Sequence, residues 1–481
     1  MRYINKLLIL AVAVGFLSCD VLDQSPRQSM DSELVFETEQ GAMNALRGTY
    51  DGVQTAIQFH LMFSELASDN ATHTGSFPTW GQVDNNNVLT GNLTILQDHW
   101  YDQYEVMNRA NNVIAYTPGV EDEAFTQAQR DIVVGEALAI RGYTAFNLAK
   151  FYSSNELGIP YPTEPTVVID ESVNIPRESL QGTFDQIESD LLQAINLLDG
   201  KGVSSASSSI NKRTAQALLA RVYLYGADIG VYPNGYQGAL DMSGEVVNSG
   251  VYALEGSYNE IFQGAQGSGE VIWELFFSSE EDNALSFYAR PNGQGGRFEY
   301  GPTGPYAGIF AEDDERGPVN VMAVNPEDEQ PFNHPVLGKY YKVDGSDNVS
   351  VTRLGEMYLI HAEALVQLDF NANGQEALDL VNALRERAFN EDMYDPLEDD
   401  IDAIRDEFLH DFDDIADQDE MLEMIWHERR LELGLEGHRW HDLVRSGLAI
   451  TELGIGENAT RWPIPEREMD VNPELEQNPG F

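Results

Sequence analysis

The chain is short of lysine and almost without cysteine. Among 481 residues only six are lysine (Lys6, Lys150, Lys201, Lys212, Lys339 and Lys342) and one, Cys19, is cysteine. A single cysteine excludes an intrachain disulfide framework. With so few lysines, basic capacity rests on arginine, and 28 Lys and Arg face 80 Asp and Glu for a formal net charge of −52. A surface this negative repels nucleic-acid phosphate and anionic lipid headgroups, which argues against both as direct ligands. It suits a protein kept soluble in strong salt, so a halophilic or marine habit is expected. Long apolar runs are missing too: the stretch Leu7–Leu17 is too short for a permanent membrane anchor. What is present is a folding composition, 42% hydrophobic and 10% aromatic, so the acid belongs on the surface of a folded body rather than in a disordered polymer.

The amino terminus, "MRYINKLLILAVAVGFLSCD", has the parts of an export signal: Arg2 and Lys6, the apolar run, then small Ser18 before Cys19. It resembles a bacterial lipoprotein signal, with Phe16 where leucine is more usual. On that reading residues 1–18 are removed and Cys19 is the lipid attachment point.

Residues 19–481 read as one all-α domain with loop-rich insertions containing minor β-structure. In "TFDQIESDLLQAINLLDG", Phe184, Ile187, Leu191, Ile195 and Leu198 fall on one helical face, with Thr183 and Gln186 as a capping box and Gly200 as the stop. "GEALAIRGYTAFNLAKFY", "RTAQALLARVYLYGAD", "GEMYLIHAEALVQLD" and "GQEALDLVNALRERA" are further amphipathic segments, several mixing Ala or Gly with Leu and Tyr. Small residues let paired helices approach, and the pattern predicts tetratricopeptide-like hairpins of irregular length, with an unrelated helical bundle as the alternative. Residues 68–98 read as a loop and 264–345 as a second insertion that begins with the strand-like "GEVIWELFF". The acidic residues 398–420 read as one solvated helix with its connections; they lack a calcium-loop spacing.

Against this acidic background, "RRLELGLEGHRWHDLVRSG" at 429–447 gathers four arginines and two histidines. A metal cluster there, drawing on His427, Glu428, Glu436, His438 and His441, fails the zinc-protease spacing because Leu431 stands four residues beyond His427. A structural clamp fits better, with Gly434 and Gly437 bending the chain so that Arg429, Arg439 and Arg445 reach Glu432, Glu436 and Asp442. The stretch resembles the carboxy-terminal signature of the SusD/RagB family of outer-membrane lipoproteins, through Glu428, Arg429, Glu432, Glu436, Gly437, Arg439, Asp442, Leu443, Arg445 and Gly447. "GIPYP", "RLGEMYLIHAEAL" and "RWPIPEREMDVNPELEQNPGF" agree in the same order. From the residues themselves no cofactor or metal site is expected. The resemblance implies a tetratricopeptide-like framework at the outer membrane and no catalysis. It also implies a SusC-like TonB-dependent barrel as partner, to which an extracellular glycan is delivered.

Sugar binding needs flat aromatic faces and hydrogen-bonding groups, which the two insertions supply. The expected ligand contacts are His73, Phe77, Trp80 and Asn85 in the first, and Tyr288, Arg290, Arg297, Tyr300, Tyr306 and Phe310 in the second. Trp273, Trp440 and Trp462 are expected in the core. Two other functions share the residues less well: a receptor or lid for peptides or another polymer on the same fold, and a periplasmic glycan-acting enzyme, for which no catalytic constellation stands out.

Overall fold

Helix starts in this chain are set by short polar side chains. Thr38 accepts from the Gly41 amide to open α1 (Glu39–Leu66), and Thr126 with Gln129 forms a capping box that opens α4 (Gln127–Tyr152). Asn211 with Thr214 does the same for α6 (Lys212–Asp228). The computed structural model describes residues 35–92, 98–166, 174–205, 207–263, 267–324 and 331–481. Residues 1–18, expected to be an export signal, and Cys19 lie outside them.

Between these helices come α2 (Pro78–Asp84), α3 (Asp98–Tyr116) and α5 (Leu180–Leu197), and after them α7 (Gly235–Val247), α8 (Leu354–Ala388), α9 (Gln418–Glu432) and α10 (Arg439–Arg445). The long helices pack in series, α1 on α3, α3 on α4, then α5, α6, α7, α8 and α9, each against the one before. Stacked hairpins of this kind bury a shared core that no single pair could bury alone. At the α4–α5 crossing a Cβ on Gly142 would lie 3.2 Å from Leu191, so the missing side chain permits the close approach. Helix α8 breaks at Asp369 (φ −165°, ψ 93°), whose side chain accepts from Ala372, so the two amphipathic segments expected there are two helices across a kink.

Three local expectations need correction. The box at Thr183 is unused: α5 starts earlier because Ser179 Oγ accepts from Gly182 at 2.9 Å, while buried Thr183 accepts from Ile159 at 3.1 Å. Residues 68–98 are not simply a loop but contain β1 (Ala71–His73) and α2. The acidic stretch is not one helix: Ile401–Phe408 is helical, a tight turn follows at Phe412–Asp414, and α9 begins at Gln418. The break lets two aromatics dock separately, Phe408 on Phe389 at 5.5 Å and Phe412 on Phe370 at 5.6 Å.

Strands are few and pair as two-stranded antiparallel sheets: β1 with β3 (Tyr300–Pro302), β2 (Val271–Leu275) with β6 (Val349–Arg353), and β4 (Val321–Val324) with β5 (Pro331–Leu337). The strand expected at "GEVIWELFF" is thus β2, buried along its whole length. Trp273, Trp440 and Trp462 lie in the core at 0–2% exposure. Among the described residues no helix is long and apolar enough to cross a membrane.

Candidate functional site

The arginine-rich stretch folds into a buried ion network. Glu428 and Glu432 stand one turn apart on α9, and left-handed backbone at Leu435 (φ 66°) and Gly437 (φ 82°) turns Glu436 inward beside them. Arg353, at the end of β6, reaches Glu270 at 2.8 Å, Glu432 at 2.5 Å and Glu436 at 2.9 Å. Arg387 spans Glu270 and Glu432, Lys339 holds Glu436 at 2.6 Å, and Arg316 joins Asp314, Glu428 and Glu432. With Arg385 on Glu428, five cations meet five carboxylates: Arg316, Lys339, Arg353, Arg385 and Arg387 against Glu270, Asp314, Glu428, Glu432 and Glu436. Burial pushes the Glu436 carboxyl up, but Arg353 and Lys339 more than reverse it and hold it at about 2.

The clamp expectation holds in part. Arg429 and Arg445 do reach Asp442, at 3.1 and 2.8 Å. Arg439 instead pairs with Asp69 at 2.8 Å, as Arg430 does at 2.9 Å, because Glu432 and Glu436 are already taken by bases from distant segments. His427 is exposed on α9, while His441 is buried against His60 (ring centroids 5.4 Å apart) and Ser64. Among the described residues no group of three or more His, Cys, Asp or Glu is arranged to hold a metal.

The two insertions meet elsewhere. Strands β1 and β3 pair so that His73 stands opposite Tyr300. Glu299 ties the loops together, its carboxylate accepting from the amides of Ser76 (2.8 Å) and Phe77 (3.1 Å) and facing His73 Nε2 at 3.4 Å and Arg297 at 3.3 Å. Burial pushes this carboxyl up, while the Phe77 and Ser76 amides, His73 and Arg297 outweigh it and hold it below the usual range. Arg297 lies over the Phe77 ring at 4.1 Å and keeps 40% of its side chain exposed.

The expected contacts divide by depth. Trp80 is 1% exposed, wedged between Phe63 of α1 (5.5 Å) and Tyr288 (4.9 Å), with Tyr300 at 6.3 Å. Tyr300 at 3% and Tyr306 at 0% are likewise buried, Tyr306 meeting Phe310 edge to face, and Arg290 at 3% lies on the Tyr341 ring. These four offer no open face in this conformation, because a loop laid over a helical body needs large side chains to fill the space beneath it. Phe77, Tyr288, His73 and Arg297 are part-exposed and Asn85 is exposed. Phe287, overlooked in the sequence, is 45% exposed with its ring 5.4 Å from that of Tyr288. Its signal was the pair of adjacent aromatics in "ALSFYARPNG", one of which must face outward on a single helical turn.

A stacked helical framework thus carries a buried ion network and, apart from it, an aromatic face built from two loops. The comparisons narrow the class. The SusD family matches residues 332–460, and the family described as "Starch-binding associating with outer membrane" matches residues 20–224. Over 99% of both chains the protein is 26% identical to SusD-like protein P38 of Formosa agariphila. It superposes on a SusD superfamily protein of Bacteroides thetaiotaomicron with a TM-score of 0.74 at 22% identity, covering 92% of this chain and 100% of the other. Surface glycan-binding protein A of the same species, solved with laminarihexaose, gives 0.70 at 19% identity over 92% and 99%. The chain belongs to the SusD/RagB family.

Proposed function

We propose that this protein is a noncatalytic, lipid-anchored receptor on the outer membrane that binds an extracellular oligosaccharide or polysaccharide. Residues 19–481 act as one binding domain carried by Cys19, and a SusC-like TonB-dependent barrel receives the ligand. The observation that carries the reading is the composite face on which both insertions converge around Glu299. Phe77, Phe287 and Tyr288 supply apolar surface for a pyranose, and His73, Asn85 and Arg297 supply donors and acceptors for its hydroxyls. Trp80, with Tyr300 packed against it, backs that face from beneath, while Arg290 and Tyr306 are buried against Tyr341 and Phe310. The match to a family of starch-binding, outer-membrane-associated proteins and the laminarihexaose complex of a fold relative support the ligand class.

The test is affinity electrophoresis of the soluble chain from Asp20 onward through gels containing laminarin, starch or other polysaccharides, run in high salt. Retardation by one class, lost in Phe77→Ala and Arg297→Ala, is expected. A folded protein that no polysaccharide retards overturns the glycan reading in favour of a peptide or lid role, and shortened sugar products overturn the noncatalytic one.

A further inference from the structure

A second cleft lies away from the Phe77 face. It has a volume of about 390 Å³ and is floored by the β2–β6 ribbon, where Glu274 and Ser350 are direct cross-strand partners. Residues paired this way project from the same side of a sheet. Glu274 is 8% exposed, yet its Oε2 has no hydrogen-bond partner, and neither has the buried Ser350 Oγ beside it. Leaving a buried carboxylate oxygen and a buried hydroxyl without a protein partner is costly, and here the two belong to paired residues that line one cleft. Burial raises the Glu274 pKa against the opposing pull of Asn348 and Lys342. The walls mix apolar and polar groups, with Phe262 and Phe277 facing Lys342 and Asn348.

The cleft is also firmly built. Asn283 donates to the carbonyls of Gly345 (3.0 Å) and Asp347 (2.6 Å), and Ser286 to that of Lys342 (2.7 Å), fixing the loop that carries Lys342. Ser286 belongs to the same helical turn, Leu285–Ala289, whose Tyr288 packs on Trp80, so one rigid element touches both the cleft and the aromatic face.

We propose that this cleft is a second saccharide subsite, which holds one sugar residue by two neighbouring hydroxyls, Glu274 Oε2 accepting from one and Ser350 Oγ bonding the other. A diol matches two unpaired atoms on adjacent strands, with Lys342, whose side chain is 52% exposed, placed to bond a further hydroxyl, Phe277 to cover an apolar edge, and Asn348 holding Glu274 and the Phe277 amide in place. The proposal rests on the glycan reading of the protein but uses residues remote in sequence from those of the first face.

The test is saturation-transfer NMR of the soluble chain with glucose, galactose, mannose, xylose and fucose, each at tens of millimolar, where a one-residue subsite is filled. At least one sugar is expected to respond in the Phe77→Ala/Arg297→Ala protein, with the response reduced at least fivefold by adding Glu274→Gln or Ser350→Ala. Glu274→Gln keeps the shape and removes a buried charge, so its melting temperature should match that of the wild type and serves as the folding control. No response from any sugar overturns the proposal, as does a response that survives both substitutions. A response abolished by Phe77→Ala/Arg297→Ala alone also overturns it, while leaving the first face, and the receptor reading, intact.

Discussion

Glu432 is the carboxylate on which the buried network turns. It is fully buried and sits between Arg353 and Arg387, each at 2.5 Å, with Arg316 at 3.3 Å. Replacing it by glutamine preserves volume but removes one of five negative charges, leaving three guanidinium groups sharing too little compensation. Breaking a buried pair in this way costs about 3–5 kcal/mol, because an uncompensated charge remains out of water. For a 481-residue chain the unfolding entropy of roughly 2.1 cal/mol/K per residue gives about 1 kcal/mol per degree, so the expected fall in Tm is about 3–5 °C. The control is Glu391→Gln, which removes the partner of Arg405 at a site whose side chain is 62% exposed; there the change should stay below about 1 °C. Calorimetry of the two variants and the wild type makes the comparison. Glu432→Gln melting within 1 °C of the wild type would refute the claim that the signature stretch is a charge-neutral clamp.

Further outcomes follow from the same structure. Trp80→Ala removes a ring that is 1% exposed and should lower Tm by about 3–5 °C through a core cavity of about 3–5 kcal/mol, and it should weaken glycan binding as Phe77 and Tyr288 lose their backing. Phe77→Ala should weaken binding with little change in Tm; equal Tm losses in both variants would contradict the division into exposed contacts and buried support. Acid should destabilise the fold in two stages. Burial first, and then neighbouring cations such as Lys150, hold His60 and His441 below their usual range and His99 at about 3; burial also holds His438 at about 4. Folded pKa values below the unfolded 6.5 mean that the unfolded chain takes up protons first, so stability is lost as pH falls from 6.5. Glu65, raised to about 7 by burial, and Asp228, raised to about 6, act in the opposite direction between pH 7 and 4. Below 4.5, Glu356 and Glu436, both held at about 2 by their basic partners against the upward push of burial, add their loss to that of the histidines. Thermal melts from pH 7 to pH 3 should therefore show a falling Tm, steepest below 4.5, and a flat profile would contradict the histidine environments. Finally, with a net charge of −52, Tm should rise between 0.1 and 1 M NaCl as screening shortens from about 10 to 3 Å; a Tm insensitive to salt removes the expected salt-adapted habit.

Much of the framework was legible because helical periodicity survives in the long segments. Phe184, Ile187 and Leu191 share the buried face of α5 as their spacing requires, and Trp273, Trp440 and Trp462 are core residues. Local chemistry was harder to read where two signals competed. Ser179 and Thr183 are both good caps, and only the neighbouring chain segment at Ile159 decides which one is used. The clamp illustrates a different limit: Arg429 and Arg445 find Asp442 within the motif, but the partners of Glu432 come from Arg316, Arg353 and Arg387, which no local spacing reveals. For the aromatic face, the sequence put forward two insertions that do meet in the fold, without revealing depth. Trp80 and Tyr300 sit beneath Phe77 and Tyr288, and exposure is a property of the assembled body. Glu299, which ties the insertions together, was one acid among 80.

The most direct test of the receptor reading locates the ligand without altering the protein. Hydrogen–deuterium exchange should be measured on the soluble chain with and without the polysaccharide that retards it most. Protection confined to peptides from 71–92 and 285–302, with or without the cleft at 274 and 342–350, is the predicted result. Protection only along the outer surfaces of α5 and α7, or none at saturating ligand, would contradict a binding face built from the two insertions.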